Sequence, residues 1–226
     1  MLRAVIFDFD GVITDSEILH YRAFKTVLAR YGVDMSQKDY YTTYLGLNDV
    51  DCYKLLIEQG MLNAQPNLIR NMLDQKKVIF EELARTEGKI IEGVRDFLQM
   101  LGGNAIPMAI CSGALSSEIE MILDQARLRH FFEVIVSAEH VRKGKPDPQG
   151  FELTLKRLNE RRTDRIEPGR CVVIEDSHWG IEAALAAKMP AVAITNTYDA
   201  QQLSKADKVI AHLTDLTIDN LHALCK

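Results

Sequence analysis

The sequence predicts an α/β fold: a doubly wound, mainly parallel sheet into which a helical bundle is inserted. Three observations carry that expectation. Short β-rich apolar runs recur along the chain, each followed by turn chemistry and then a helical stripe. The runs are almost continuously apolar, which suits parallel strands covered on both faces. Between the first run and the second, residues 15–88 show helical patterns only.

The runs are Arg3–Phe7, Pro107–Cys111, Val134–Val136, Cys171–Ile174 and Ala191–Ile194, with Lys208–Ile210 as a short last strand. Alternation of such strands with helices is the signature of a doubly wound sheet. Within 15–88, Ile18, Tyr21, Phe24, Val27, Leu28 and Tyr31 form one stripe that stops at Gly32. Val50, Tyr53, Leu56 and Ile57 form a second that stops at Gly60, and 68–84 a third. This is too much helix for one crossover, so it reads as a separate module. Further on, Ile119, Ile122, Leu123 and Ala126 share a face, with Ser116 or Ser117 as the expected N-cap. Phe151, Leu155 and Leu158 mark the next helix, opened by Pro148, and the Ala-rich run from Trp179 to Lys188 is stopped by Pro190.

Composition narrows the class of protein. The 226 residues are 47% hydrophobic, which excludes disorder, and a chain this long buries about 70% of its surface on folding. Lys and Arg number 27 against 32 Asp and Glu, for a net charge of −5. Nucleic acid and anionic membranes reward a basic stripe, so neither is the expected partner. The cysteines (Cys52, Cys111, Cys171, Cys225) have no zinc or disulfide spacing. No apolar run reaches membrane-spanning length, and the N-terminus lacks a signal-peptide core, so a cytoplasmic protein is expected, with a monomer as the default.

Chemistry in open α/β sheets gathers at the carboxyl ends of the strands. The first strand delivers Asp8 and Asp10, which as i and i+2 residues point into one crevice. Two carboxylates so close resist joint ionisation, which suits a nucleophile or metal ligand beside a proton donor. Gly11 permits the turn that follows. The second strand ends in Ser112, Gly113 and Ala114 ahead of a helix, a hydroxyl and backbone amides suited to phosphate. After the third come Lys143 and Lys145, the latter in Lys145-Pro146-Asp147-Pro148. The fourth ends in Glu175 and Asp176, hard oxygen donors that suit Mg²⁺. Each motif alone has an ordinary structural alternative: solvated acids, an N-cap serine, a surface lysine, a helix capped by Asp176. Their ordered conjunction at four successive strand ends is specific.

Taken together, Asp8-Phe-Asp10-Gly-Val-Ile-Thr-Asp, Ser112-Gly, Lys145-Pro-Asp-Pro and Glu175-Asp176-Ser-His-Trp-Gly resemble the haloacid dehalogenase (HAD) superfamily of aspartate-nucleophile phosphohydrolases. The resemblance covers the whole chain and is nearest the β-phosphoglucomutase and phosphoglycolate phosphatase-like branch. It implies an HAD-like Rossmannoid core over residues 1–14 and 89–226 and a small helical cap over 15–88, which closes to exclude water and chooses the substrate. It implies that Asp8 forms an aspartyl-phosphate and that Asp10 acts as acid and then base. Ser112, Gly113 and Ala114 would hold phosphoryl oxygens and Lys145 would offset their charge. Mg²⁺ would sit on Asp8, the Asp10 carbonyl and Asp176, with Glu175 direct or through water. The expected substrate is a small phosphorylated metabolite.

Asp10 speaks against the dehalogenating and phosphonate-cleaving branches, which lack an acid there. β-Phosphoglucomutase is the nearer alternative, since His20 matches its cap-entry histidine. Its cap loop, however, grips a second phosphate with Lys and Arg, where this chain offers Leu45 and Asp49. A carboxylate cannot replace a phosphate-binding guanidinium, so hydrolysis is favoured. His20 is either a proton shuttle or a surface residue. Lys76 and Lys77 are expected to be exposed helix lysines, with substrate contact as the other reading. Trp179 is expected in helix–sheet packing.

Overall fold

A computed structural model describes residues 1–45, 47–63, 65–160 and 162–226. The chain divides into two compact units, Met1–Asp15 with Lys89–Lys226, and Ser16–Gly88.

Strand β1 (Ala4–Phe7) opens the first unit. The second unit follows as α1 (Glu17–Ala29), the short α2 (Gln37–Asp39), a π-helical turn over Tyr40–Tyr44, α3 (Asp49–Glu58) and α4 (Pro66–Glu87). The chain then resumes the first unit with α5 (Val94–Gly103), β2 (Met108–Cys111), α6 (Ser116–Gln125), β3 (Phe132–Val136) and α7 (Gln149–Asn159). It ends with β4 (Cys171–Glu175), α8 (His178–Ala186), β5 (Ala191–Ile194), β6 (Lys208–Ile210) and α9 (Ile218–Leu224).

The six strands found among the described residues are parallel, in the order β3-β2-β1-β4-β5-β6. The fold is the doubly wound α/β class that the apolar runs predict. Strand order reverses beside β1, where its two neighbours β2 and β4 diverge, and that is where such sheets place their ligands. Phe7 pairs with Ile110 of β2 and with Ile174 of β4, so the residues after these strands emerge side by side. Every residue of β1, β2, β4 and β5 is buried, as strands covered on both faces must be.

Several local expectations need correction. α6 begins at Ser116 with Leu115 at the N-cap, so neither Ser116 nor Ser117 caps it. Ser177, not Asp176, caps α8, accepting the Gly180 N–H at 3.1 Å. The sequence reading missed α5, although Val94, Phe97, Leu98 and Leu101 lie at helical spacing and all are buried. Trp179 is partly buried, with its ring centroid 4.0 Å from that of His178 and 6.2 Å from that of Tyr198.

The helical unit has its own core, in which Phe24, Val27 and Leu28 of α1 meet Tyr53 and Leu56 of α3 and Met72 of α4. Asn48 caps α3 by accepting the Asp51 N–H at 3.0 Å, and Pro66 sits in the first turn of α4, where its missing N–H costs nothing. Val50, expected in the buried stripe, is 41% exposed. Lys76, expected on the surface, is buried, and its ammonium donates to Nδ1 of His20 at 2.7 Å and pairs with Asp49 at 2.9 Å. Lys77 is exposed and lies 3.9 Å from Glu81.

Candidate active site at the carboxyl ends of four strands

The Asp8 N–H donates to the Ile174 carbonyl at 2.9 Å, which carries the β1–β4 ladder one residue past Phe7 and fixes the Asp8 backbone. Lys145, from the loop after β3, reaches under the sheet end to clamp two acids. Its Nζ lies 2.5 Å from Oδ1 of Asp8 and 2.5 Å from Oε1 of Glu175. The Lys145–Pro146 peptide is cis. The ammonium also lies 5.3 Å above the Phe151 ring.

Glu175 is fully buried. Its Oε2 accepts the Asp176 N–H at 3.0 Å, the Ser177 N–H at 2.9 Å and the Ser177 hydroxyl at 2.9 Å. Both its oxygens are therefore engaged, one by Lys145 and one by the turn into α8. Asp176 accepts a hydrogen bond from the Thr197 hydroxyl.

Two glycines make room for this arrangement. Gly11 has φ +77°, a left-handed conformation, and a Cβ there would overlap the Asp176 carboxylate. Gly180 lies in the first turn of α8, and a Cβ on it would overlap the carboxylate of Glu175.

Ligand oxygens of Asp8, Glu175 and Asp176 all lie within 4.8 Å of one another, and all three residues are buried. So much negative charge out of water shifts the protonation equilibria. Burial pushes Asp8 up to about 7, Lys145 opposes, and Glu175 and Asp10 add to the rise. Asp176 is pushed well above the usual carboxylate range by burial, then by Glu175 and Asp8, with the Thr197 hydroxyl opposing. For Lys145, burial works to lower its affinity for the proton, but Asp8 and Glu175 outweigh it and hold the group above the ordinary lysine range. One ammonium facing three carboxylates leaves the cluster short of positive charge, and its hard oxygen donors suit a magnesium ion.

Ser112 is placed beside this cluster by β2, its N–H donating to Val136 of β3 at 2.9 Å. The Ala114 N–H turns back onto the Ser112 oxygen at 3.0 Å, whereas the Gly113 N–H has no partner among the described residues. Asp10 follows on the β1 exit loop, partly buried, and its backbone bridges to Thr14. The first unit thus brings together Asp8, Lys145, Glu175 and Asp176, with Ser112 to Ala114 on the adjacent strand end. His20 belongs to the helical unit, where its ring stacks on Phe80 with centroids 4.0 Å apart.

Asn196 and Thr197 were missed as site residues. Thr197 contacts Asp176, and the Asn196 side-chain N–H donates to the Gly11 carbonyl at 2.7 Å. The signal was present: they follow the apolar run of β5, and the rule that singles out strand ends applies to a fifth end as well.

Fold and site define a doubly wound α/β protein with an acid–lysine centre at its switch point. The chain belongs to the haloacid dehalogenase-like hydrolase family, whose model matches residues 5–194. A phosphorylated carbohydrates phosphatase of Thermotoga maritima is 32% identical over 187 residues, covering 82% of each chain. The fructose-1-phosphate phosphatase YqaB of Escherichia coli (strain K12) is 30% identical over 83% of this chain and 94% of its own. Among solved structures, β-phosphoglucomutase (pgmB) of Clostridium difficile superposes with TM-score 0.83 at 25% identity, covering 99% of this chain and 97% of that one.

Proposed function

We propose that the chain is a magnesium-dependent phosphoric monoester hydrolase that acts on a small sugar phosphate or similar metabolite through a phosphoenzyme on Asp8. The observation that carries this reading is the Lys145 clamp, with one ammonium 2.5 Å from both Asp8 and Glu175 inside a buried acidic cluster. A lysine so placed holds Asp8 in one orientation and stabilises the charge that gathers on an arriving phosphoryl group.

Asp8 attacks phosphorus with a carboxylate oxygen while Asp10 donates a proton to the departing alkoxide. In the second step Asp10 takes the proton from a water that attacks the same phosphorus, and phosphate leaves with Asp8 restored. The Ser112 hydroxyl and the Gly113 N–H, the donors still available on that loop, serve the phosphoryl oxygens. Asp8, the Asp10 carbonyl and Asp176 are the residues that would hold the magnesium ion, with Glu175 behind them fixing Lys145. When bound, the ion supplies the positive charge that this cluster lacks and draws electron density from the phosphate. The helical unit is read as the module that selects the substrate.

A phosphomutase is the second reading, favoured by the likeness to β-phosphoglucomutase. Against it, the resemblance puts Leu45 and Asp49 at the cap-loop positions where the mutase has Lys and Arg, and the cation beside Asp49, the Lys76 ammonium at 2.9 Å, is buried and already engaged by Asp49 and His20. Two of the relatives with 30% identity or more are phosphatases of phosphorylated sugars.

The test is phosphate release from p-nitrophenyl phosphate and a panel of sugar phosphates, with magnesium and with EDTA. Turnover that needs magnesium and disappears in Asp8→Asn supports the reading, and full activity in that variant sinks it. Hexose 1-phosphate supplied with trace bisphosphate separates the two readings. Free phosphate marks the hydrolase, and hexose 6-phosphate without phosphate release marks the mutase.

A further inference from the structure

We propose that Glu139, seconded by Ser137, is a positioning residue that holds the 112–116 loop in the geometry needed to receive a phosphoryl group. The inference rests on the reading of that loop as the phosphoryl-binding segment.

Helix α6 starts without a cap of its own. Its N-cap residue is Leu115, whose side chain has no acceptor, so the first amides of the helix need oxygen from elsewhere. The Leu115 N–H finds Glu118 within the helix, at 3.2 Å. The Ser116 N–H is taken by Oε2 of Glu139, 23 residues away in the turn that follows β3, at 2.9 Å. The same turn makes two further ties to the loop. The Ala138 N–H donates to the Ala114 carbonyl at 3.0 Å, and the hydroxyls of Ser137 and Ser116 lie 2.7 Å apart.

Ser112 donates to Val136, Ala114 to the Ser112 oxygen, Leu115 to Glu118 and Ser116 to Glu139. Gly113 is left with an N–H that has no partner among the described residues. The Ser112 oxygen accepts from Ala114, which leaves its hydroxyl proton free to donate outward. Two donors are thereby aimed by a frame in which every neighbouring amide is tied down, and Glu139 closes its far end.

The turn that supplies Glu139 is itself braced. The Ser137 N–H donates to Nδ1 of His140 at 3.0 Å, and the Ser137 hydroxyl lies 2.9 Å from the same nitrogen. Ser137 is fully buried, whereas Glu139 is exposed. The hydrogen bond from Ser116 is also the main reason the Glu139 carboxyl sits below its ordinary range.

A positioning role and a purely electrostatic one predict opposite signs. If Glu139 acted only as a negative charge near an anion site, both Glu139→Ala and Glu139→Gln would tighten phosphate binding. If it positions the loop, alanine weakens binding, and glutamine, which keeps an acceptor oxygen for the Ser116 N–H, restores it. The experiment measures calorimetric binding of inorganic phosphate with magnesium present, together with kcat and KM for p-nitrophenyl phosphate. For Glu139→Ala we expect phosphate affinity and kcat/KM each to fall about tenfold, and Glu139→Gln to stay within about twofold of the parent. Because Glu139 is exposed, the alanine variant should keep its melting temperature within about 3 °C of the parent. A Ser137→Ala/Glu139→Ala pair should lose about a hundredfold in kcat/KM. Tighter phosphate binding in both single variants, or unchanged kinetics in Glu139→Ala, overturns the proposal. If the parent chain itself neither binds phosphate nor hydrolyses the ester, the reading of the site falls, and this inference with it.

Discussion

The Lys145 ammonium lies 2.5 Å from Oδ1 of Asp8, although 137 residues separate the two in the chain. The same ammonium meets Glu175 on β4, so one side chain joins the exits of β1, β3 and β4. The contact is a consequence of strand order, since β1 lies directly against β4 and the β3 loop must reach across β2 to arrive there.

Replacing Lys145 tests that clamp. Lys145→Met leaves Glu175 buried with no cation, and breaking a buried pair in this way costs about 3–5 kcal/mol. Denaturant unfolding should show a loss of that order. Phosphate release should fall by about 10²-fold or more, because a group that stabilises transition-state charge is gone. A variant that keeps most of its turnover would contradict the role given to Lys145.

Gly180→Ala probes the same acid from behind. The added Cβ would overlap the carboxylate of Glu175, which cannot swing aside because its oxygens are held by Lys145, Asp176 and Ser177. Ordinarily alanine in a helix is worth up to about 1 kcal/mol over glycine. Here the sign should reverse, with a destabilisation of about 1–3 kcal/mol from overpacking. A thermal melt above that of the parent would show that Glu175 is free to move.

Tyr53 offers a contrasting case in the helical unit. Its ring is fully buried against Phe24, centroids 4.9 Å apart, and its hydroxyl has no protein partner among the described residues. A buried polar group without a partner costs about 1–3 kcal/mol. Tyr53→Phe should therefore be neutral or stabilising by about 1 kcal/mol, read by chemical denaturation. A clear loss of stability would mean that the hydroxyl is hydrogen-bonded in solution.

His20 gives the helical unit a pH dependence. Burial first, and the Lys76 ammonium second, hold its pKa well below the ordinary histidine value. The folded state thus keeps His20 neutral at pH values where the unfolded chain, with a pKa of about 6.5, binds a proton. Its contribution is complete above that unfolded value and shrinks as the pH falls below it, with a limiting slope of about 1.4 kcal/mol per pH unit. His20→Gln, which cannot titrate, should flatten the loss of stability between pH 7 and pH 5. Parallel profiles for variant and parent would rule the linkage out.

Much of the core was legible because burial leaves a periodic trace. The apolar runs at β1, β2, β4 and β5 had to be strands covered on both faces, and the polar residues directly after them had to be the strand-end residues. Lys76 was not legible in the same way. Its place in α4 looks like any helix lysine until α1 and α3 bring His20 and Asp49 against it.

By itself, then, the sequence determined the α/β class, the helical segment between the first two strands, and Asp8, Ser112, Lys145 and Asp176 as the residues to watch. Local periodicity and strand-end position are properties of short segments, so they survive in a linear string. The tertiary structure alone decided that Lys145 bridges Asp8 and Glu175, that Thr197 touches Asp176, and that Glu139 caps a helix 23 residues away. Those contacts depend on sheet order, register and the path of loops, which set distances between residues that no local pattern links.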